Sequence, residues 1–136
     1  MKKTTKVLTI AFCIFSLSGV VFAYNYLEKK TLSSDDVKKK WGSEVYDAKK
    51  FKAGDYATKS KMAYSIMQDK ALIGKKISEI RDLFGPSEGY FFTDTIPVYI
   101  IQRGKTHSDQ TWQLVFLPDK NDRVLDIIMH KNCCDE

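Results

Sequence analysis

Apolar side chains recur at helical spacing between Ile77 and Phe84. Ile77, Ile80, Leu83 and Phe84 fall at i, i+3, i+6 and i+7, on one stripe of a short helix that needs a partner surface. Gly85 stands where a helix end tolerates the left-handed conformation, and Pro86 cannot donate a helical hydrogen bond, so the helix stops at Phe84. Tyr56 to Gln68 shows the same period, with Lys59, Met62, Ala63, Ile66 and Met67 on one face and Asp55 as its cap. This predicts the first substantial helix. Gly74, in the connection Ile73-Gly74-Lys75-Lys76, is expected to take a positive φ. Lys76 sits where Ser, Thr, Asp or Asn should open the second helix, an omission worth ~1 kcal/mol. Either Ser78 caps a shorter helix or tertiary packing absorbs the loss.

Beyond Pro86 the period shortens to two. Gly89 to Thr93, Ile96 to Gln102, Thr111 to Leu117 and Val124 to His130 are rich in Val, Ile, Tyr, Phe and Trp and are separated by polar or turn-forming residues. Trp112, Leu114 and Phe116 alternate with Gln113 and Val115, and Leu125, Ile127 and Met129 alternate with Asp126, Ile128 and His130. The two triplets are expected to share the face covered by the helices. Pro118 to Asp122 supplies the turn between them, and Pro97 suits a first strand position or an edge. The pattern predicts an α+β fold: two N-terminal helices packed on an antiparallel meander of three to four strands. Arg103 to Gln110 is the longest polar connection and the best site for a partner-facing surface.

The first 23 residues read as an export signal. Lys2, Lys3 and Lys6 precede an apolar run from Val7 to Phe22, and Val21-Phe22-Ala23 carries small or modest residues where a signal peptidase reads. Cleavage is expected between Ala23 and Tyr24, leaving one domain of roughly 110 residues. The rival reading is an uncleaved anchor over Val7 to Leu27. From 24 to 45 the chain is polar and lysine-rich and reads as a linker. Within it Ser33 and Asp36 resemble a helix-entry box, and Val37 and Trp41 would share a face of a brief helix ended by Gly42. The domain proper is expected over 46–130, with 131–136 as a tail.

Charge narrows the function classes. The formal net charge is +5. Three of those charges sit in the leader, so the exported part keeps only about +2, which is no signature of a nucleic-acid binder.

Leu72-Ile73-Gly74-Lys75 before a helix and Leu83-Phe84-Gly85-Pro86 after it, with two helices leading into a meander, resemble the SmpA/OmlA (BamE-like) domain of small exported bacterial proteins. The wider architecture is similar to that of β-lactamase inhibitor proteins. Tyr46-Asp-Ala-Lys-Lys-Phe-Lys52 and Met62-Ala63 are closer still to members of that group with no assigned activity. The resemblance covers roughly Tyr46 to His130 and implies a scaffold that binds proteins. It departs from the assembly lipoproteins in that no lipid-attachment cysteine follows the leader.

Catalytic chemistry finds little support in the chain. His107-Ser108-Asp109 holds the residue types of a hydrolase triad, but neighbours in sequence point apart. Gly74-Lys75-Lys76 lacks the earlier glycine and the hydroxyl of a phosphate loop. His130, Cys133 and Cys134 form a weak metal candidate without a second ligand pair, against a bond between the cysteines, a link to another chain, or an incidental tail. No catalytic residue, cofactor or resident metal is therefore expected. The expectation is a periplasmic or secreted, non-enzymatic module that binds an envelope or secreted protein, with membrane contact only through an uncleaved leader. An inhibitor or immunity-type protein, or a small metal or redox protein using Cys133 and Cys134, are the alternatives.

Overall fold

The computed structural model describes residues 30–105 and 110–132. The leader, the Ala23–Tyr24 junction, His107-Ser108-Asp109 and the Cys133-Cys134 pair lie outside the described residues.

Four helices and four strands follow in the order β1 (Thr31–Leu32), α1 (Ser34–Trp41), α2 (Ala48–Ala53), α3 (Tyr56–Gln68), α4 (Ile77–Phe84), β2 (Val98–Gln102), β3 (Thr111–Pro118) and β4 (Val124–Asn132). The strands form one antiparallel sheet in the order β1-β4-β3-β2. The protein is thus α+β, with helices packed on a strand meander. The lysine-rich stretch read as a linker is part of the fold from Thr31 onward: Thr31 and Leu32 pair with His130 and Met129, and Val37 is fully buried.

Side chains that accept from the first-turn amides set most helix starts. Ser33 caps α1 through Asp36 N, Asp47 caps α2 through Lys50 N at 2.8 Å, and Asp55 caps α3 through Thr58 N at 2.8 Å. The opening of α4 is solved differently, because a lysine ammonium has no lone pair with which to accept. Glu79 reaches back to accept the Lys76 N–H at 2.7 Å, and the Ile77 N–H donates to the Asp122 carbonyl in the β3–β4 turn at 2.9 Å. Tertiary structure, not Ser78, makes up for the missing cap. Gly74 takes φ +82° and Gly85 φ +95°, as the turn pattern requires. At the first of these turns Gly74 N donates to Val124 O and Val124 N to Lys75 O, each at 2.8 Å, so the Leu-Ile-Gly-Lys motif is stitched to the start of β4.

The core lies between the helices and one sheet face. Phe51, Met62, Ile66, Ile80 and Phe84 from the helices meet Tyr99, Leu114, Phe116 and Met129 from the sheet. Phe84 is its hub: its ring centroid lies 5.3 to 5.9 Å from those of Tyr46, Phe51, Tyr99 and Phe116.

Two strand expectations are corrected. Gly89 to Thr93 is not a ladder strand; it holds only the isolated Phe91–Thr93 bridge. The segment crosses the outer sheet face instead, where Phe91 packs with Val98 and Val115. The fourth strand is β1. In β4 the ladder shifts register between Leu117 and Pro118, and Leu125 is 64% exposed while Val124, Ile127 and Met129 are buried. One extra residue in a bulge moves Leu125 off the core face. Lys131 and Asn132, read as tail, extend β4.

Candidate functional site

The open end of the β2–β3 hairpin gathers a set of cationic and amide side chains, and α1 helps to build it. Ser33 and the acids Asp35 and Asp36 begin α1, while Lys38, Lys39 and Lys40 occupy its last turn, an order that complements the helix dipole. Trp41 closes that turn. Its ring meets Trp112 edge-on at 6.2 Å, and its Nε1–H donates to Gln102 Oε1 at 3.1 Å. The end of α1 is thereby clipped to the ends of β2 and β3, and Lys40 arrives beside them with its ammonium 5.3 Å from the Trp41 ring centroid. Across the hairpin, Gly104 N donates to Thr111 Oγ1 at 3.1 Å and draws the base of the loop together.

These contacts leave a cleft of about 420 Å³. Lys40, Arg103 and Lys105 bring cations to it, Gln102 and Gln110 bring amides, and Gly104 and Trp112 complete the wall. No carboxylate is among the described lining residues. Trp112 is almost wholly buried, so its indole is wall and not an open stacking platform.

The cleft coincides with the Arg103–Gln110 loop singled out from sequence polarity. Lys40, Trp41 and Trp112 were not foreseen as parts of it. The signal was present only as a lysine-rich helix end and two tryptophans far apart in the chain, whose meeting depends on tertiary structure.

Several other polar groups serve the fold. Lys59 is buried on α3 and forms an ion pair with Glu88, beneath the Phe51 ring at 5.4 Å. The second Glu88 oxygen accepts from Ile100 N at 3.0 Å, and Ser87 Oγ accepts from Val98 N at 3.0 Å. The outer edge of β2 is therefore closed by side chains instead of being offered to another strand. Burial pushes the Tyr99 phenol above its ordinary range, its O–H donating to Gly85 O at 2.8 Å. Burial first, and a hydrogen bond to Asp69 second, raise the Tyr46 phenol to about 12.

The metal candidate is not assembled by the described residues. His130 sits on the outer face, its ring 4.8 Å from Phe91 and its Nδ1 3.3 Å from the Gln113 amide nitrogen, while both cysteines lie outside the described residues. Among the described residues no group of three or more His, Cys, Asp or Glu side chains is placed to hold a metal ion. No described helix is long and apolar enough to cross a membrane.

Fold and cleft define an α+β scaffold with a polar, cationic recess at one end of its sheet. Comparison with protein-family models, with curated proteins and with solved structures finds no match for the chain.

Proposed function

We propose that this chain is an exported, non-enzymatic protein-binding module of the bacterial cell envelope, periplasmic or secreted. In this reading it is related to the SmpA/OmlA (BamE-like) proteins. The observation that carries the proposal is the cationic cleft at the base of the Arg103–Gln110 loop, held by a two-tryptophan clip. The outer sheet face is the poorer docking surface, because Phe91 and Ile96 already cover part of it. The export signal and the helix–glycine–proline motif are the further support.

The test is affinity capture from envelope extract with the exported protein, its Lys40→Glu/Arg103→Glu variant, and a Lys120→Glu control. Lys120 lies in the turn beyond the far end of β3, a strand whose other end lines the cleft. Expected is a partner retained by wild type and control and lost by the double variant, on protein whose N-terminal residue is Tyr24. Equal retention by all three, or no partner above background, contradicts the proposal.

A further inference from the structure

The cleft offers donors and positive charge, and no carboxylate is among its described lining residues. Arg103 makes no ion pair or hydrogen bond with a described residue, so its planar fork is presented to whatever enters. Gln102 has its carbonyl oxygen engaged by the Trp41 indole, which leaves its amide nitrogen as the group offered to a ligand. Lys40 lies with its ammonium 5.3 Å from the Trp41 ring centroid, which places its charge at the rim of the cleft.

We infer that this cleft recognises carboxylate side chains on a short acidic stretch of a partner protein. The inference rests on the binding-module reading above and adds the chemistry of the partner. Size and surroundings select a peptide among anions. A space of about 420 Å³ falls in the range of ligand pockets and far exceeds one small oxyanion. Interfacial insertion into a lipid surface uses exposed apolar side chains beside the cations. The exposed apolar residues Val45, Tyr56, Ile73, Tyr90, Phe92 and Leu125 contribute nothing to the cleft lining, and Ile73 and Leu125 flank the Gly74–Val124 pairing at the opposite end of β4. Single-stranded nucleic acid needs open aromatic faces, whereas Trp112 is only 8% exposed. Carboxylates spaced along a backbone meet what is present: an arginine fork, lysines and side-chain amides able to bond peptide groups.

The full exported protein, labelled for amide NMR, is titrated separately with hexaglutamate, hexaglutamine, inorganic phosphate and phosphatidylglycerol vesicles. Hexaglutamate is expected to shift the Gln102, Arg103, Gly104 and Gln110 amides and the Trp112 indole saturably, while hexaglutamine, phosphate and vesicles leave them in place. Arg103→Gln is expected to weaken the peptide about tenfold or more, with the remaining spectrum unchanged as proof of folding. Lys120→Gln is expected to bind like wild type. The proposal is overturned if hexaglutamate moves none of these signals, if Arg103→Gln binds it as tightly, or if phosphate or vesicles reproduce its shifts. It is also overturned if Asp135→Asn/Glu136→Gln, without any peptide, moves the same signals, since the chain's own acids would then be the occupant. Should the peptide fail while Lys40→Glu/Arg103→Glu still loses a captured partner, acid recognition falls and the docking surface stands. Should the peptide bind as expected while capture is unaffected by the double variant, acid recognition stands and the binding-module reading falls.

Discussion

Lys59 places its ammonium inside the protein, where the Glu88 carboxylate meets it. Taking a lysine out of water is tolerable only with such a partner, and Glu88 supplies it while also holding the Ile100 amide at the sheet edge. Glu88→Gln keeps an acceptor for Ile100 but leaves the cation uncompensated. We expect a loss of about 2 kcal/mol, below the ~3–5 kcal/mol of a fully enclosed pair because Glu88 retains some contact with water. Adding Lys59→Met should recover most of that loss, a non-additivity read from urea unfolding of the two single variants and the pair. The phenols make a separate prediction. Tyr46 and Tyr99 both hold their protons more tightly when folded than the ordinary value of 10. The folded state therefore binds more protons at alkaline pH. Stability from this source is complete below pH 10 and falls as pH rises through about 12. Absorbance of ionising tyrosine should show two of these groups titrating last, together with the loss of near-ultraviolet circular dichroism. Asp55 acts on the acid side: its bonds to Thr58 depress its carboxyl, so its contribution is present at neutral pH and disappears as pH falls through that lowered value.

At the scale of elements, the legible and the hidden parts separate by the range of their causes. The helices Tyr56–Gln68 and Ile77–Phe84 were legible in the chain because their stripes, the Asp55 cap of the first and the Gly85-Pro86 stop of the second are local signals. The last three strands were legible too, β3 and β4 through alternating residues and β2 through its run of Val, Tyr and Ile. Thr31–Leu32 was not, since two residues show no period and this strand exists only because β4 accepts it. Gly89 to Thr93 misled because its aromatic composition suits a strand, yet Phe91 uses that apolar surface to lie across the sheet. Leu125 was misplaced by a bulge no alternation announces. Of the site, the polar loop was visible, whereas the Trp41–Trp112 contact that makes it a cleft spans most of the domain. Gly74 tests the element scale directly. A Cβ there would meet nothing within 4 Å, so any penalty on Gly74→Ala comes from its φ of +82°. We expect a loss of about 1–2 kcal/mol in stability, seen as a lower urea midpoint with an unchanged slope.

The whole molecule divides its labour along the sheet. One face takes the helices and carries the aromatic core around Phe84, and the other is partly roofed by the segment through Phe91. One end is stitched shut where the Gly74 turn joins β4, and the other ends in a recess lined by cations. A fold of this kind does not by itself dictate a role, so the role proposed here follows from the recess. Its central claim is that partners meet the protein at that end. The most direct measurement is site-specific photocrosslinking in the native cell, with the reactive side chain placed at Gln110 in the cleft or at Lys120 in the opposite turn. A discrete adduct from Gln110, absent from Lys120 and abolished by adding Arg103→Glu, is the expected result. Adducts of equal yield from both positions, or an adduct from Lys120 alone, would contradict it.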